Sequence, residues 1–328
     1  MQKKFLVIGS NSFSGSNFCN YLIKKNCKFI ATSRSSEINK IFLPYKWENK
    51  KINFRKIDLN KDFEELKILI KKFKPTHIVN FAAQSMVGQS WEFPNDWMNT
   101  NIISLLKLIQ FLKNLDYLEK YLHVTTPEVY GSHKNWTKES FIFNPTTPYA
   151  VSRATGDMLL KIYKEQFQIP VIFTRAANVY GPGQQLYRII PRTIYSVLNN
   201  KKLILDGGGK SKRVFIHINE VCDATFKLCL RGKIGESYHI SNHEVIKIVD
   251  CVKLILKKLN VKFNDHVDLG PERPGKDLGY FLDSSKIYKH LSWRSSINLN
   301  QGIDSVIDWM KKNKRVINKI KPEYKHKK

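Results

Sequence analysis

A short apolar run that ends in a glycine-bearing turn and passes straight into a helical pattern constrains this chain more than any other feature. The run is Lys4–Ile8, the turn reads Gly9-Ser10-Asn11-Ser12-Phe13-Ser14-Gly15, and Phe18, Leu22 and Ile23 then share one helical face. The alternation repeats. Apolar runs at 28–31, 52–57, 77–81, 121–124 and 171–174 alternate with helical patterns at 64–73, 97–115 and 149–167. Strands so uniformly apolar are buried on both faces, and strands joined through helices run parallel. The expected fold is α/β, a doubly wound parallel sheet with a smaller C-terminal α/β lobe.

Glycines at the first strand-to-helix turn let backbone amides approach a pyrophosphate at the helix N-terminus, the Rossmann-type arrangement, although an ordinary turn would read the same way. Past Arg175 the pattern changes, with glycine and proline clustered at 180–183, 207–209 and 270–275. The expected division is a dinucleotide-binding domain over 1–175, with 214–241 returning to it. A substrate lobe takes 176–213 and 242–328 and ends in a basic tail, which reads as a surface appendage.

Several classes fall away. The most apolar run, 102–112, is broken by Lys107 and is too short to span a bilayer. The opening Met1-Gln2-Lys3-Lys4 leads into a strand without a cleavage site, so a cytoplasmic location is expected. The five cysteines (Cys19, Cys27, Cys222, Cys229, Cys251) form no CxxC pair, which predicts reduced thiols and no metal site. Lys+Arg 55 against Asp+Glu 28 gives a net charge of +27, a field that attracts polyanions. No zinc-finger spacing, basic heptad region or RNP-like motif accompanies it, so no specific nucleic-acid partner is expected. An anionic small substrate uses the same field.

Two further patterns carry chemistry. In Tyr149-Ala150-Val151-Ser152-Arg153 a phenol and a cation stand at i and i+4 on one helix face. A phenol titrates near about 10, and a nearby cation lowers that value. A packed tyrosine with a solvent-facing arginine is the plainer reading. Thr126-Pro127-Glu128 follows a strand and puts a carboxylate at that strand's carboxyl end, where open α/β sheets bind ligands; a surface glutamate would look alike. After the second strand the chain reads Thr32-Ser33-Arg34-Ser35-Ser36, and Glu37 comes late. An arginine there suits a 2′-phosphate, so NADP is expected to be preferred, with NAD possible as a cofactor and Ser33 and Arg34 as the phosphate contacts.

Together these residues resemble the extended short-chain dehydrogenases/reductases, closest to their nucleotide-sugar 4,6-dehydratase branch. The resemblance covers nearly the whole chain. It continues through Asp58, Asn80-Phe81-Ala82-Ala83-Gln84-Ser85, Thr174-Arg175-Ala176-Ala177-Asn178-Val179-Tyr180-Gly181-Pro182, Arg213-Val214-Phe215-Ile216-His217 and Glu272-Arg273-Pro274-Gly275-Lys276-Asp277. It implies that Gly9, Ser12, Phe13 and Gly15 cradle the dinucleotide and that Asp58 and Leu59 lie by the adenine. Phe81, Ala82 and Ala83 would line the rest of the cofactor, which is tightly bound and recycled. Tyr149 would take the sugar hydroxyl proton, Arg153 would stand where the family has lysine, and Thr126 would hydrogen-bond the same sugar oxygen. Gln84, Ser85 and Met86 would meet the sugar, and Asn178, Arg213 and Arg273 the diphosphate.

The implied activity is conversion of a nucleotide-diphosphate sugar to its 4-keto-6-deoxy form, with Glu128 as the base at C5. A C4 epimerase, which needs no such base, is the alternative, followed by a nucleotide-glucuronate decarboxylase and a dinucleotide-binding regulatory protein. A homodimer through 97–115 and 149–167 is implied as well. Three positions depart from the family: Ser12 replaces glycine and puts a Cβ at the pyrophosphate, Arg153 replaces lysine, and Pro127 replaces an acid or serine.

Overall fold

The computed structural model describes residues 3–48, 50–132, 135–271 and 279–327. Its main sheet contains β1 (Lys4–Ile8), β2 (Lys28–Ser33), β3 (Asn53–Lys56), β4 (His77–Asn80), β5 (Lys120–Val124), β7 (Val171–Ala176) and β11 (Ser237–Ile240). They lie in the order β11-β7-β5-β4-β1-β2-β3, and every pairing is parallel. The order reverses beside β1, and that switch point is where an open parallel sheet leaves a crevice outside its strand ends.

Alternation within β1 shows why the sheet is covered twice. Phe5 and Val7 join the apolar layer that holds Phe18, Leu22, Ile172 and Leu228. Leu6 and Ile8 point the other way, into the layer of Ile78, Leu108, Tyr121 and Phe173. Each fully buried side chain of this kind contributes roughly 1.5–3 kcal/mol. Helices α1 (Phe13–Lys24) and α8 (Ile218–Arg231) supply the first layer, and α2 (Phe63–Phe73), α5 (Ser104–Leu112) and α6 (Pro148–Phe167) the second.

Three small sheets build the rest. β8 (Asn178–Tyr180), β10 (Lys212–His217) and β12 (Val245–Lys247) form one; β9 (Leu203–Asp206) pairs with β13 (Val267–Gly270), and β6 (Trp136–Thr137) with β14 (Phe281–Leu282). Helix α7 (Ile189–Leu198) packs beside them on a separate apolar cluster that includes Ile190, Ile194, Phe215, Ile303 and Trp309. Within 214–241, residues 214–217 lie in β10, beside β8 and β12, with Val214 and Ile216 in the apolar layer of Phe5 and Val7, while α8 packs on the main sheet and β11 joins its edge.

The helix expected over 97–115 runs unbroken to Leu112 but changes its winding on the way. After α3 (Val87–Glu92) and α4 (Pro94–Met98), residues Asn99–Ile103 form a π-helical turn before α5. The turn carries the buried Asn101, whose Oδ1 accepts from the Gln84 amide at 2.9 Å and whose Nδ2 donates to the Gln84 carbonyl and to Ser152 Oγ, each at 2.9 Å. Satisfying a buried polar side chain outweighs regular helix geometry there. No helix among the described residues is long and apolar enough to cross a membrane.

Gly15 sits where α1 meets the β1 turn, and a Cβ on it would stand 2.3 Å from the Gly9 carbonyl oxygen. Backbone cannot yield as a side chain can. Gly15→Ala is expected to cost about 1–3 kcal/mol, the range of an overpacked interior, read as a lower urea midpoint at unchanged slope.

Candidate active site

The first wall of the crevice is the β1–α1 turn. Gly9 has φ 88°, and a Cβ there would lie 2.6 Å from the Ala82 amide nitrogen, so glycine is required by both conformation and space. Gly9 and Ser10 both donate their amides to the Thr32 carbonyl, at 2.8 and 2.9 Å, which locks the turn to the end of β2. Ser12 caps α1: its Oγ accepts from the Gly15 amide at 3.0 Å, and its extended backbone (φ −72°, ψ 158°) suits any residue. The serine that departs from the family's glycine is thus an ordinary N-cap. A turn without Cβ atoms at Gly9 and Gly15, placed at a helix N-terminus, fits a dinucleotide pyrophosphate.

The remaining expected cofactor residues gather on the same edge. Phe13 is buried at the start of α1 and Leu59 just after β3. Asp58 Oδ1 accepts from the Asn60 amide at 2.9 Å, and the Phe81 amide donates to the Ile8 carbonyl at 2.8 Å. The Ala82 amide donates to Asn80 Oδ1 at 3.0 Å, with Ala83 next in line. Ser33 ends β2, buried, and the Arg34 guanidinium donates to the Lys327 carbonyl at 3.1 Å. Glu37 is turned aside, its carboxylate 2.5 Å from Lys46 Nζ and 3.0 Å from the Tyr45 hydroxyl that donates to it.

The second wall is the first turn of α6. Thr147 caps it by accepting from the Ala150 amide at 3.1 Å, Pro148 starts it, and Tyr149 follows with 8% of its surface exposed. Burial and the Glu128 carboxylate push the Tyr149 phenol up, against the pull of Arg153, a Thr126 hydrogen bond and Arg188. The sequence expectation was a lowered value, and here desolvation outweighs the cations. Arg153 does not face solvent. Its Nη2 donates to the Val124 carbonyl and to His123 Nε2, the latter at 3.2 Å. Burial, with Arg153 and Arg175 nearby, holds His123 well below the ordinary histidine range, so it is neutral and can accept that bond.

The Thr126 segment forms the third wall. Pro127–Tyr130 is a 3₁₀ turn capped by Thr126, whose Oγ1 accepts from the Glu128 amide at 3.3 Å. Pro127 takes the first position of that turn, where a missing N–H costs nothing. The residue that departs from the family is a turn starter, and the carboxylate of Glu128 stays near enough to Tyr149 to raise its pKa.

On the lobe side, Asn178 Nδ2 donates to the Val214 carbonyl at 3.2 Å, and the Arg213 guanidinium lies 5.3 Å from the Tyr280 ring centre. The Tyr280 hydroxyl donates to Asn178 Oδ1 at 3.5 Å. Tyr280 and Arg188 join the site without having been expected; neither sits in a recognisable spacing, and only the fold brings them in. Gln84 is buried, Ser85 is exposed, and Met86 precedes α3. Arg273 lies outside the described residues. Among those described, no cluster of His, Cys, Asp and Glu could hold a metal.

A family model described as GDP-mannose 4,6 dehydratase matches residues 6–306. A dTDP-D-glucose 4,6-dehydratase of Dictyostelium discoideum is 30% identical, covering 95% of this chain and 82% of its own length. The solved dTDP-glucose 4,6-dehydratase of Streptomyces venezuelae, with NAD bound, has a TM-score of 0.88 at 27% identity, covering 95% of this chain and 98% of that one. A UDP-glucuronic acid 4-epimerase of Bacillus cereus shares the fold, with a TM-score of 0.86 at 24% identity over 94% of this chain and 99% of its own.

The opposed influences on Tyr149 give a test with two signs. On the expectation that Tyr149 takes the sugar hydroxyl proton as phenolate, the acid limb of the first oxidation step follows its pKa. Glu128→Gln removes a charge that raises it and should move the limb to lower pH. Arg153→Ala removes a charge that lowers it and should move the limb to higher pH. Stopped-flow absorbance of the cofactor across pH reads both; shifts in the same direction would refute the assignment.

Proposed function

The chain belongs to the GDP-mannose 4,6-dehydratase family, and from that premise we propose that it converts a nucleoside-diphosphate hexose to its 4-keto-6-deoxy form. The observation that carries the reading is a carboxylate, Glu128, beside the catalytic phenol, Tyr149. The nicotinamide supplies, when bound, the two-electron acceptor and donor that oxidation at C4 and reduction at C6 require.

Tyr149, as phenolate, takes the proton of the C4 hydroxyl, with Thr126 aligned on the same oxygen and Arg153 favouring the ionised phenol. The resulting ketone acidifies the C5 hydrogen. Glu128 removes that proton and returns it to the C6 hydroxyl, which departs as water while the C5–C6 double bond forms. Pro127 has no acidic group, so one carboxylate serves both ends of the elimination. C4 epimerisation would use Tyr149 and Thr126 alone and leave Glu128 idle. Gly9, Ser12, Phe13, Gly15, Asp58, Leu59 and Phe81 to Ala83 hold the dinucleotide; Gln84, Ser85 and Met86 meet the sugar. Asn178, Arg213 and Arg273 bind the diphosphate, within a lobe made of 176–213 and 242–328.

Glu128→Gln should form the 4-keto sugar and stall, with C5-hydrogen exchange slowed by about 10²–10⁴-fold. Mass spectrometry in deuterated water would show one solvent deuteron at C5 of the wild-type product, lighter by one water. A wild-type product that keeps its C6 hydroxyl would overturn the dehydratase reading.

NADP is the preferred cofactor on this reading, because Glu37 is occupied by Lys46 and Tyr45 while Ser33 and Arg34 stand at the end of β2. Denaturing the purified protein should release NADP; release of NAD alone would refute the preference.

A homodimer through α5 and α6 would cover Val151, Met158 and Ile162 of α6, which are 41%, 56% and 53% exposed along one side of the helix. The cysteines are all unpaired, which accords with a cytoplasmic setting.

A further inference from the structure

The basic stretch beyond Ile320 does not hang in solvent as the sequence suggested. It runs back across the mouth of the strand-end crevice. The ring of Tyr324 packs edge-on against Tyr187, with centres 5.3 Å apart at 83°. His326 stacks on two rings, 4.7 Å from Phe93 at 8° and 5.2 Å from Trp97 at 16°, and its Nε2 lies 2.7 Å from Asp96 Oδ2. The Lys327 carbonyl then accepts two side-chain bonds, from Gln84 Nε2 at 2.8 Å and from Arg34 Nη1 at 3.1 Å.

Those two donors come from opposite sides of the crevice. Arg34 follows β2, on the side of the expected cofactor phosphate, and Gln84 follows β4, on the side of the expected sugar. Arg188, at the cap of α7, and Arg34 both pull the Tyr324 phenol down against its burial, which sets this ring between the lobe and the sheet. A main-chain carbonyl thus takes the donors that an oxygen of either ligand would take. Being part of the same chain, it acts at a high effective concentration.

We infer that residues 321–327 form an intrasteric strap, an internal competitor that must leave the crevice before a nucleoside-diphosphate sugar can enter. The inference rests on the crevice being the nucleotide-sugar site. Positive charge on Lys325 and Lys327 suits the exchange, because an arriving diphosphate can pair with the lysines as they are lifted away.

Three proteins test it: the full chain, a variant ending at Ile320, and the full-length double variant Tyr324→Ala/His326→Ala. The double variant loses both ring anchors and keeps the chain intact should the shortened protein fail to fold. The probes are thymidine 5′-diphosphate and UDP, titrated by calorimetry. Both variants are expected to bind them about tenfold more tightly than the full chain, the effect of removing a weak internal competitor. Equal affinity in all three overturns the strap. Weaker affinity in the variants also overturns it, and would make the segment part of the binding site. Product analysis on the same proteins reads the dehydratase assignment separately: absence of a 6-deoxy product from all three refutes that assignment without altering the affinity comparison.

Discussion

One guanidinium holds two walls of the crevice together. Arg175, at 0% exposure on β7, donates to Asp157 Oδ2 of α6 at 2.7 Å and to Ser237 Oγ of β11. Its plane sits 5.1 Å from the ring centre of Tyr130 and 5.3 Å from that of Phe143. Tyr130 ends the turn that carries Glu128, and Asp157 stands two turns beyond Tyr149, so the carboxylate and the phenol are referred to one buried charge. Removing one partner of such a pair typically costs about 3–5 kcal/mol, because the other is left uncompensated away from water.

The same region explains how an arginine stands where the family has lysine. Arg153 is anchored from behind by the Val124 carbonyl and by a histidine that burial keeps neutral. Asp157 Oδ2 also accepts from Thr125 Oγ1 at 3.0 Å, which ties the end of β5 to α6. A second buried histidine, His239, is pushed down to about 3 by burial and by Arg175, and bonds the Tyr130 hydroxyl at 2.9 Å. Two arginines can share this interior because the Asp157 carboxylate attracts both and the His123 imidazole near both carries no charge. The guanidinium of Arg153 acts on Tyr149 through its field.

The strands and the glycine turn were legible in the sequence because burial on both faces leaves a continuous apolar run, and because the Gly15 contact, with the Gly9 carbonyl, lies within the turn itself, whereas the Ala82 backbone that also excludes a Cβ at Gly9 is distant in sequence. The pairing of Tyr149 with Arg153, and of Thr126 with Glu128, was legible from spacing along single elements; that the two pairs meet at one phenol is tertiary. What escaped depended on distant partners. The π turn exists because Asn101 must satisfy Gln84 and Ser152, contacts no local pattern reveals. The direction of the Tyr149 shift depends on how much protein surrounds the ring. Tyr280, Arg188 and the fold-back of Tyr324 to Lys327 are products of tertiary placement. The roles of Ser12 and Pro127 are visible only once the turns they start are in view.

The π turn has a mechanical meaning. Asn101 binds Gln84 at the end of β4 and Ser152 on α6, and the Ser152 hydroxyl donates to the Tyr149 carbonyl at 2.7 Å. Gln84, the expected sugar contact, and Tyr149, the proposed base, therefore share one mount, built from the main sheet and its helices. Whatever displaces Asn101 displaces both, so the spacing between these two residues is set by one side chain and not by two independent loops.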